Sequence, residues 1–203
     1  MPRTVPRALF VTPTVRHEGR RESGEALVQS VSCDANLREH GMAIGSSRRD
    51  GARDFDFQRG EWRVLHRVKR SAQDAWTEFE GTCRNRALID GSANVEEHTF
   101  IRTTGITYGI ALRAYDSKTG LWAIWWVDSR DPHGKLDPPV QGTFESGVGT
   151  FYSDYIADGK PMRVRFVWSH ISANSARWEQ AGSADNGQTW DTNWMMEFER
   201  TAP

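Results

Sequence analysis

The chain has 203 residues, of which 26 are basic and 27 are acidic, so its formal net charge is −1. Such a balanced charge gives no long-range field to attract nucleic acid or an anionic membrane, and no stretch has the apolar length of a membrane span. We therefore expect one folded domain in a cytoplasmic protein, with no nucleic-acid or membrane partner.

Residues 1–53 differ in composition from the rest of the chain. They hold nine Arg and six acidic residues but one aromatic residue, Phe10, whereas 21 of the 22 aromatic residues lie in residues 54–203. A segment with so little apolar area cannot offset its ordering entropy. We predict a disordered or weakly ordered tail over 1–53 and a folded domain over 54–203. The alternative is that Met42 is the true start and that residues 1–41 are an over-extended gene model.

The pattern of residues 54–203 predicts short β-strands. The first strand alternates, with one face made of Trp62, Val64, His66 and Val68 and the other of Arg63, Leu65, Arg67 and Lys69. The predicted strands are 61–69, 75–84, 93–102, 106–115, 121–128, 140–145, 148–155, 162–170, 176–184 and 189–200. About ten short sequential strands joined by tight turns predict an all-β fold, an antiparallel meander closed into a barrel.

The strand over 121–127 is apolar on both faces. One face can line the barrel interior, and the other has to be covered by a loop, by the segment before Trp62 or by another subunit. The last of these alternatives is a homodimer hypothesis.

A family resemblance rests on the two ends of the predicted barrel. Gly60-Glu61-Trp62 opens the first strand, and Arg200 closes the last. This pair resembles the lipocalin-like (calycin) signature, in which the Trp plugs one barrel end and the Arg lies across its indole. The stretches 54–57, 78–83, 94–97, 112–116, 136–140 and 194–198 resemble uncharacterised bacterial lipocalin-like barrel proteins of a domain-of-unknown-function family. The resemblance covers roughly residues 54–200, and it implies a fold and little chemistry.

No cofactor or metal ion is expected. Nitrobindin-type haem barrels are a more distant resemblance and carry a haem-ligating His near the C-terminus, but this chain has no His after His170. The loop over 128–134 offers Asp128, Asp131 and His133, which lack the spacing of a known metal motif.

Three residues are catalytic candidates. His66 shares the face of Trp62, so we expect it inside the barrel as a general base, as a ligand contact or as a hydrogen-bonded core histidine. Glu96 and His98 share one face of the third strand. A carboxylate beside an imidazole is the minimum for proton transfer, and the alternative is a polar strand face in water.

The ligand-binding candidates follow from the aromatic content. We expect a cavity with aromatic walls, a histidine inside and charged groups nearer the mouth. The candidate residues are Trp62, His66, Trp76, Arg113, Trp125, Trp126, Asp128 and Arg130. Because the strand over 121–127 is apolar on both faces, the pattern leaves open whether Trp125 or Trp126 points inward.

Three functions fit these patterns. The first is binding of a small apolar or aromatic molecule inside the barrel. The second is a cofactor-free enzyme, a cyclase, isomerase or dehydratase, that uses an inward His or Glu. The third is a filled barrel with a structural or assembly role. The volume and the polar lining of the interior discriminate among them.

Overall fold

The protein is an all-β barrel of ten strands. A computed structural model describes residues 51–134, 136–157 and 159–203. The predicted disorder of the tail and the Met42 alternative concern residues that lie outside this range. The strands are β1 Gly60–Val68, β2 Thr77–Leu88, β3 Ala93–Arg102, β4 Gly105–Asp116, β5 Leu121–Asp128, β6 Val140–Glu145, β7 Val148–Ala157, β8 Lys160–Ser169, β9 Ser175–Ser183 and β10 Asp191–Ala202. Three 3-10 turns accompany them, over Gly51–Arg53, Asp56–Gln58 and Ile89–Gly91.

The predicted meander is confirmed. Each strand pairs antiparallel with its neighbours in sequence, and β1 pairs with β10 to close the barrel. The hairpin between β4 and β5 shows why the pairing is local: the Asp116 carboxylate accepts hydrogen bonds from Lys118 N at 2.9 Å and Thr119 Oγ1 at 3.0 Å, and Gly120 has φ 74°. These contacts lie within the turn itself, so the local sequence specifies the hairpin between β4 and β5.

The inward face of β1 carries the side chains that the alternation predicted. Trp62, Val64, His66 and Val68 are all buried. Buried aromatic residues from other strands, including Phe100, Trp122, Phe151, Trp168 and Trp194, fill much of the interior around them. The barrel core is therefore aromatic, which explains why the tryptophans are spread over the whole strand region.

The segment before β1 closes one end of the barrel. Gly51 O accepts a hydrogen bond from Trp122 Nε1 at 2.8 Å, and Gln58 O accepts one from Trp62 Nε1 at 2.8 Å. Phe55 packs edge-on against Trp122, with ring centroids 5.0 Å apart. Residues 51–53, which composition assigned to the tail, thus belong to the folded domain. The prediction missed them because Gly51 makes its contact through its backbone, which the count of aromatic residues does not detect.

Arg200 locks this closed end as the lipocalin-like signature implied. Its guanidinium carbon lies 4.1 Å from the centroid of the Trp62 ring. The same guanidinium donates to the carbonyl oxygens of Arg59, Phe57 and Ala173. One side chain therefore ties β10 to the closing segment and to the turn before β9.

The barrel wall is weakest between β5 and β6. Their pairing covers only residues 122–124 of β5, so the second half of that strand continues past β6. Asp137 and Pro138 lie beside Trp125 in this region and line the interior cavity with it. Over residues 125–128, β5 has no ladder partner on the β6 side, and this stretch is the gap in the wall.

The outer surface next to this gap is apolar. Ile106, Tyr108, Ile110 and Leu112 of β4 are exposed, as is Val127 of β5. The homodimer hypothesis for this face stays a prediction. Within the part of the chain that the structure describes, no helix is long and apolar enough to cross a membrane.

Candidate functional site

The barrel interior holds a cavity of about 100 Å³. Residues from β3 to β10 line it, and five of the nine tryptophans are among them. The aromatic lining consists of Phe100, Trp125, Trp126, Tyr155, Phe166, Trp168, Trp178 and Trp194. Both Trp125 and Trp126 border the cavity, since Trp126 lies on the inward face of β5 and Trp125 stands at the gap beside Asp137.

A buried carboxylate lies on the cavity wall. Glu96 is 1% exposed, and its Oε1 accepts hydrogen bonds from Gln58 Nε2 at 2.8 Å and from Cys83 Sγ at 3.3 Å. His98 Nε2 lies 2.6 Å from the same oxygen, and Arg113 forms an ion pair with Oε2. Four donors converge on one carboxyl group, an arrangement that suits the ionised form.

Arg113 extends this network toward the closed end of the barrel. Its NH1 donates to Gln58 Oε1 at 2.7 Å and to Asn94 Oδ1 at 3.0 Å. Its guanidinium carbon lies 4.6 Å from the Phe55 ring centroid and 5.4 Å from that of Trp168. The buried charge of Glu96 is therefore matched by one opposite charge held between aromatic rings.

Burial sets the charge state of the remaining groups. It lowers the pKa of His98 to about 3 and that of Arg113 to about 9, and it raises the pKa of the Cys83 thiol. At neutral pH His98 is an uncharged imidazole, Arg113 is a cation and Cys83 is a thiol. The cluster as a whole is neutral.

Three buried polar atoms of cavity-lining residues have no hydrogen-bond partner among the described residues. They are His98 Nδ1, Arg113 Nε and Trp168 Nε1. Because His98 Nε2 donates to the Glu96 carboxylate, its Nδ1 carries a lone pair. The other two atoms are N–H donors.

His66 lies inside the barrel as expected, and its surroundings match the core-histidine alternative. It is fully buried, but it does not line the cavity. Its Nδ1 accepts a hydrogen bond from Trp194 Nε1 at 3.2 Å, and its ring stacks on Phe79 at 4.6 Å. Burial, together with His98 and Arg102, lowers its pKa to about 2. These contacts are those of a core histidine that positions Trp194.

Two other expectations need correction. Trp76 is 39% exposed, and its ring centroid lies 5.3 Å from Lys69 Nζ, so it is not part of the cavity wall. Trp62 closes the barrel end and does not border the cavity. Asp128 and Arg130 pair with each other at the end of β5, and Asp128 also interacts with the lining residue Trp126, so their place near the mouth stays a prediction.

Arg113 lines the cavity as expected, but it is buried in the network and does not stand at the mouth. Its aliphatic stem leaves β4 on the inward face, and Glu96 on the adjacent strand holds its head group inside.

Several site residues were not expected from the sequence. Cys83 and Asn85 share the inward parity of β2, and Asn94 shares that of Glu96, so strand alternation could have found them. Gln58 comes from the closing segment, for which no periodic signal exists.

Cys83, Glu96 and His98 place potential ligand atoms within 4.8 Å of one another. This donor set fits a cation poorly. Arg113 already neutralises the carboxylate, and burial keeps Cys83 protonated, so a metal ion would have to compete with a guanidinium and displace a thiol proton.

Comparisons with known proteins identify the family. The chain belongs to the family described as "Protein of unknown function (DUF1579)", whose model matches residues 55–200. Among curated proteins there is no significant match.

Two solved barrel structures are similar in fold. The S-type phycobiliprotein lyase CPES from Guillardia theta is 10% identical with a TM-score of 0.52, and the alignment covers 75% of this chain and 93% of the lyase. A de novo designed fluorescence-activating beta barrel is 14% identical with a TM-score of 0.40, over 75% of this chain and 98% of the design. At these identities the likeness concerns the barrel fold alone.

Proposed function

We propose that this DUF1579 family member binds a small, largely apolar or aromatic molecule inside its barrel. The observation that carries the proposal is the cavity itself: eight of its twenty lining residues are aromatic, and one neutral polar cluster, centred on Glu96 and Arg113, forms part of its wall. Aromatic walls supply contact area and stacking, while a few polar groups orient the ligand.

The cavity volume limits the size of the ligand. An engineered cavity of about 150 Å³ in another protein binds benzene, and the cavity here measures about 100 Å³. Its enclosed part therefore holds no more than about one ring. The gap beside Trp125 gives such a molecule a path from solvent.

Binding explains the geometry better than cofactor-free catalysis does. Glu96 orients His98 as a carboxylate orients a catalytic imidazole, but a pKa of about 3 makes His98 a weak base at neutral pH. All the donors around Glu96 are engaged with it, so the carboxylate is also poorly placed to take a proton from a substrate.

The tryptophans provide a site-specific binding assay. Five indole N–H groups belong to cavity-lining residues, and four belong to Trp62, Trp76, Trp122 and Trp190, which do not line it. In ¹H–¹⁵N spectra, titration with toluene, phenol or acetophenone should shift the first set and leave the second nearly unchanged. If none of the three probes shifts the first set of signals more than the second, the cavity does not bind such molecules and the binding proposal is wrong.

A pair of variants provides the control. Ser153 lines the cavity from β7, whereas the Asp154 side chain is 74% exposed on the opposite face of the strand. Ser153→Phe should block probe binding by filling the cavity near the gap. Asp154→Phe adds the same ring outside and should leave the affinity within about twofold.

A further inference from the structure

Two side chains of the cavity wall, Trp168 and Arg113, carry buried N–H donors that matter for the choice of ligand. Trp168 Nε1 and Arg113 Nε belong to lining residues, are buried and have no acceptor among the described residues. Trp168 is 1% exposed and Arg113 is 3% exposed, so bulk solvent does not reach them freely. A buried N–H without an acceptor is unfavourable, and a site with such groups selects a partner that carries an acceptor.

The two donors belong to neighbouring side chains. The Arg113 guanidinium carbon lies 5.4 Å from the centroid of the Trp168 ring. Arg113 cannot turn its Nε toward a protein acceptor without giving up its other contacts, because NH1 is held by Gln58 and Asn94 and NH2 by Glu96. The unpaired Nε–H is thus a consequence of how the network fixes the guanidinium.

Charge restricts the acceptor further. The Glu96 carboxylate already pairs with the Arg113 cation, and His98 is uncharged. An anionic ligand would bring a second negative charge beside Glu96 without a second cation to pair with it. The cluster therefore suits a neutral oxygen acceptor and not a carboxylate.

From these observations we propose that the ligand is a neutral one-ring carbonyl compound whose oxygen accepts a hydrogen bond from Trp168 Nε1, with Arg113 Nε as the second donor. The proposal rests on the binding function above and adds the chemical class of the ligand. The ring lies among the aromatic walls, and the carbonyl faces the donor side of the cavity.

Two matched probes isolate the carbonyl. Acetophenone and α-methylstyrene have nearly the same shape, but the second replaces C=O with C=CH₂. The affinity of each is measured from the indole shifts of Trp126 and Trp178, both of which line the cavity. In the wild-type protein acetophenone should bind at least tenfold more tightly, and benzoate should bind more weakly than acetophenone.

Two variants assign the preference to one atom. Trp168→Phe removes the N–H and keeps an aromatic ring, so the preference for acetophenone should fall to below threefold while α-methylstyrene affinity changes little. Trp178→Phe is the control, since Trp178 lines the same cavity but contributes no unpaired buried N–H. In this variant the affinities of both probes should fall by a similar factor, so the preference for acetophenone should persist. These affinities are read from the Trp126 indole shift alone.

The wild-type protein also gives a readout that needs no variant. The carbonyl stretch of ¹³C-labelled acetophenone should move to lower frequency on binding than it has in an apolar solvent. Equal affinities of the two probes, with an unshifted carbonyl stretch, would overturn the carbonyl assignment and leave the binding function standing. Failure of every probe to bind would overturn the binding function itself.

Discussion

Removal of the Arg200 side chain tests how the barrel end is closed. Arg200 stacks on Trp62 and donates to three backbone carbonyls, those of Phe57, Arg59 and Ala173. The stack contributes roughly 0.5–1 kcal/mol at a partly exposed site. Three hydrogen bonds contribute about 0.5–1 kcal/mol each, because solvent can partly replace them at this end. Arg200→Ala should therefore lower the free energy of unfolding by about 2–4 kcal/mol.

Urea unfolding followed by tryptophan fluorescence measures this change. Arg63→Ala is the matched control, because Arg63 on β1 forms an exposed, solvent-screened ion pair with Glu199 and should change the free energy of unfolding much less than Arg200→Ala does. Arg200→Lys keeps a cation near the indole but cannot donate to three carbonyls in a fork, so about half of the loss should remain. If Arg200→Ala and Arg63→Ala destabilise equally, the closure of the end by Arg200 is refuted.

The same substitution has a functional consequence. Arg200 holds the carbonyls on either side of Gln58, and the Gln58 amide bonds to Glu96 in the cavity wall. Arg200→Ala should therefore weaken acetophenone binding several-fold, whereas Arg63→Ala should leave it unchanged. A destabilised variant with wild-type affinity would show that the closed end and the cavity are independent.

The other predictions concern pH, the buried carboxylate and self-association. Both His66 and His98 have a folded-state pKa far below the ordinary value of 6.5, so the unfolded chain binds more protons below that pH. Stability should be independent of these groups above about pH 6.5 and should fall as the pH is lowered toward 3. His98→Gln should make the slope shallower by up to about 1.4 kcal/mol per pH unit in acid-dependent urea titrations, and an unchanged slope would contradict a neutral buried His98. Glu96→Ala leaves a buried guanidinium without its counter-charge and should cost about 3–5 kcal/mol by the same unfolding assay; a loss below 1 kcal/mol would mean that the network is not structural. Light scattering should give twice the mass of one chain if the outer face of β5, with the exposed apolar residues of β4 beside it, pairs two copies, and Tyr108→Glu should return the monomer; a monomeric wild-type protein contradicts the homodimer hypothesis.

Sequence alone was enough to predict the strands and their order. Turn residues such as Asp116 and Gly120 act within four or five positions, and the two-residue alternation around Trp62 and His66 is local as well. Local signals of this kind are complete in the sequence, so ten strands and a closed meander could be predicted. Gly60, Trp62 and Arg200 also indicated which end is closed, because that arrangement resembles a known signature.

The candidate site could be predicted only in part. Glu96 and His98 were found because they share a strand face, but strand alternation does not say whether that face is exposed to solvent or buried. Asp128 and Arg130 pair with each other at the end of β5, a contact that strand parity does not predict. The exposed position of Trp76 likewise depends on where β2 begins, since that strand starts at Thr77, directly after it.

What the sequence by itself determined is the barrel: its strands, their antiparallel order, the inward face of β1 and the Arg–Trp closure. Only the tertiary structure decided which side chains converge on Glu96, namely Gln58, Cys83, His98 and Arg113. It also decided that Arg113 Nε and Trp168 Nε1 have no acceptor among the described residues. The physical reason is the range of the interactions. Strand pattern and turn chemistry act over a few residues, whereas the cavity is formed by side chains from eight strands, and its volume and unpaired donors depend on how all of them pack at once.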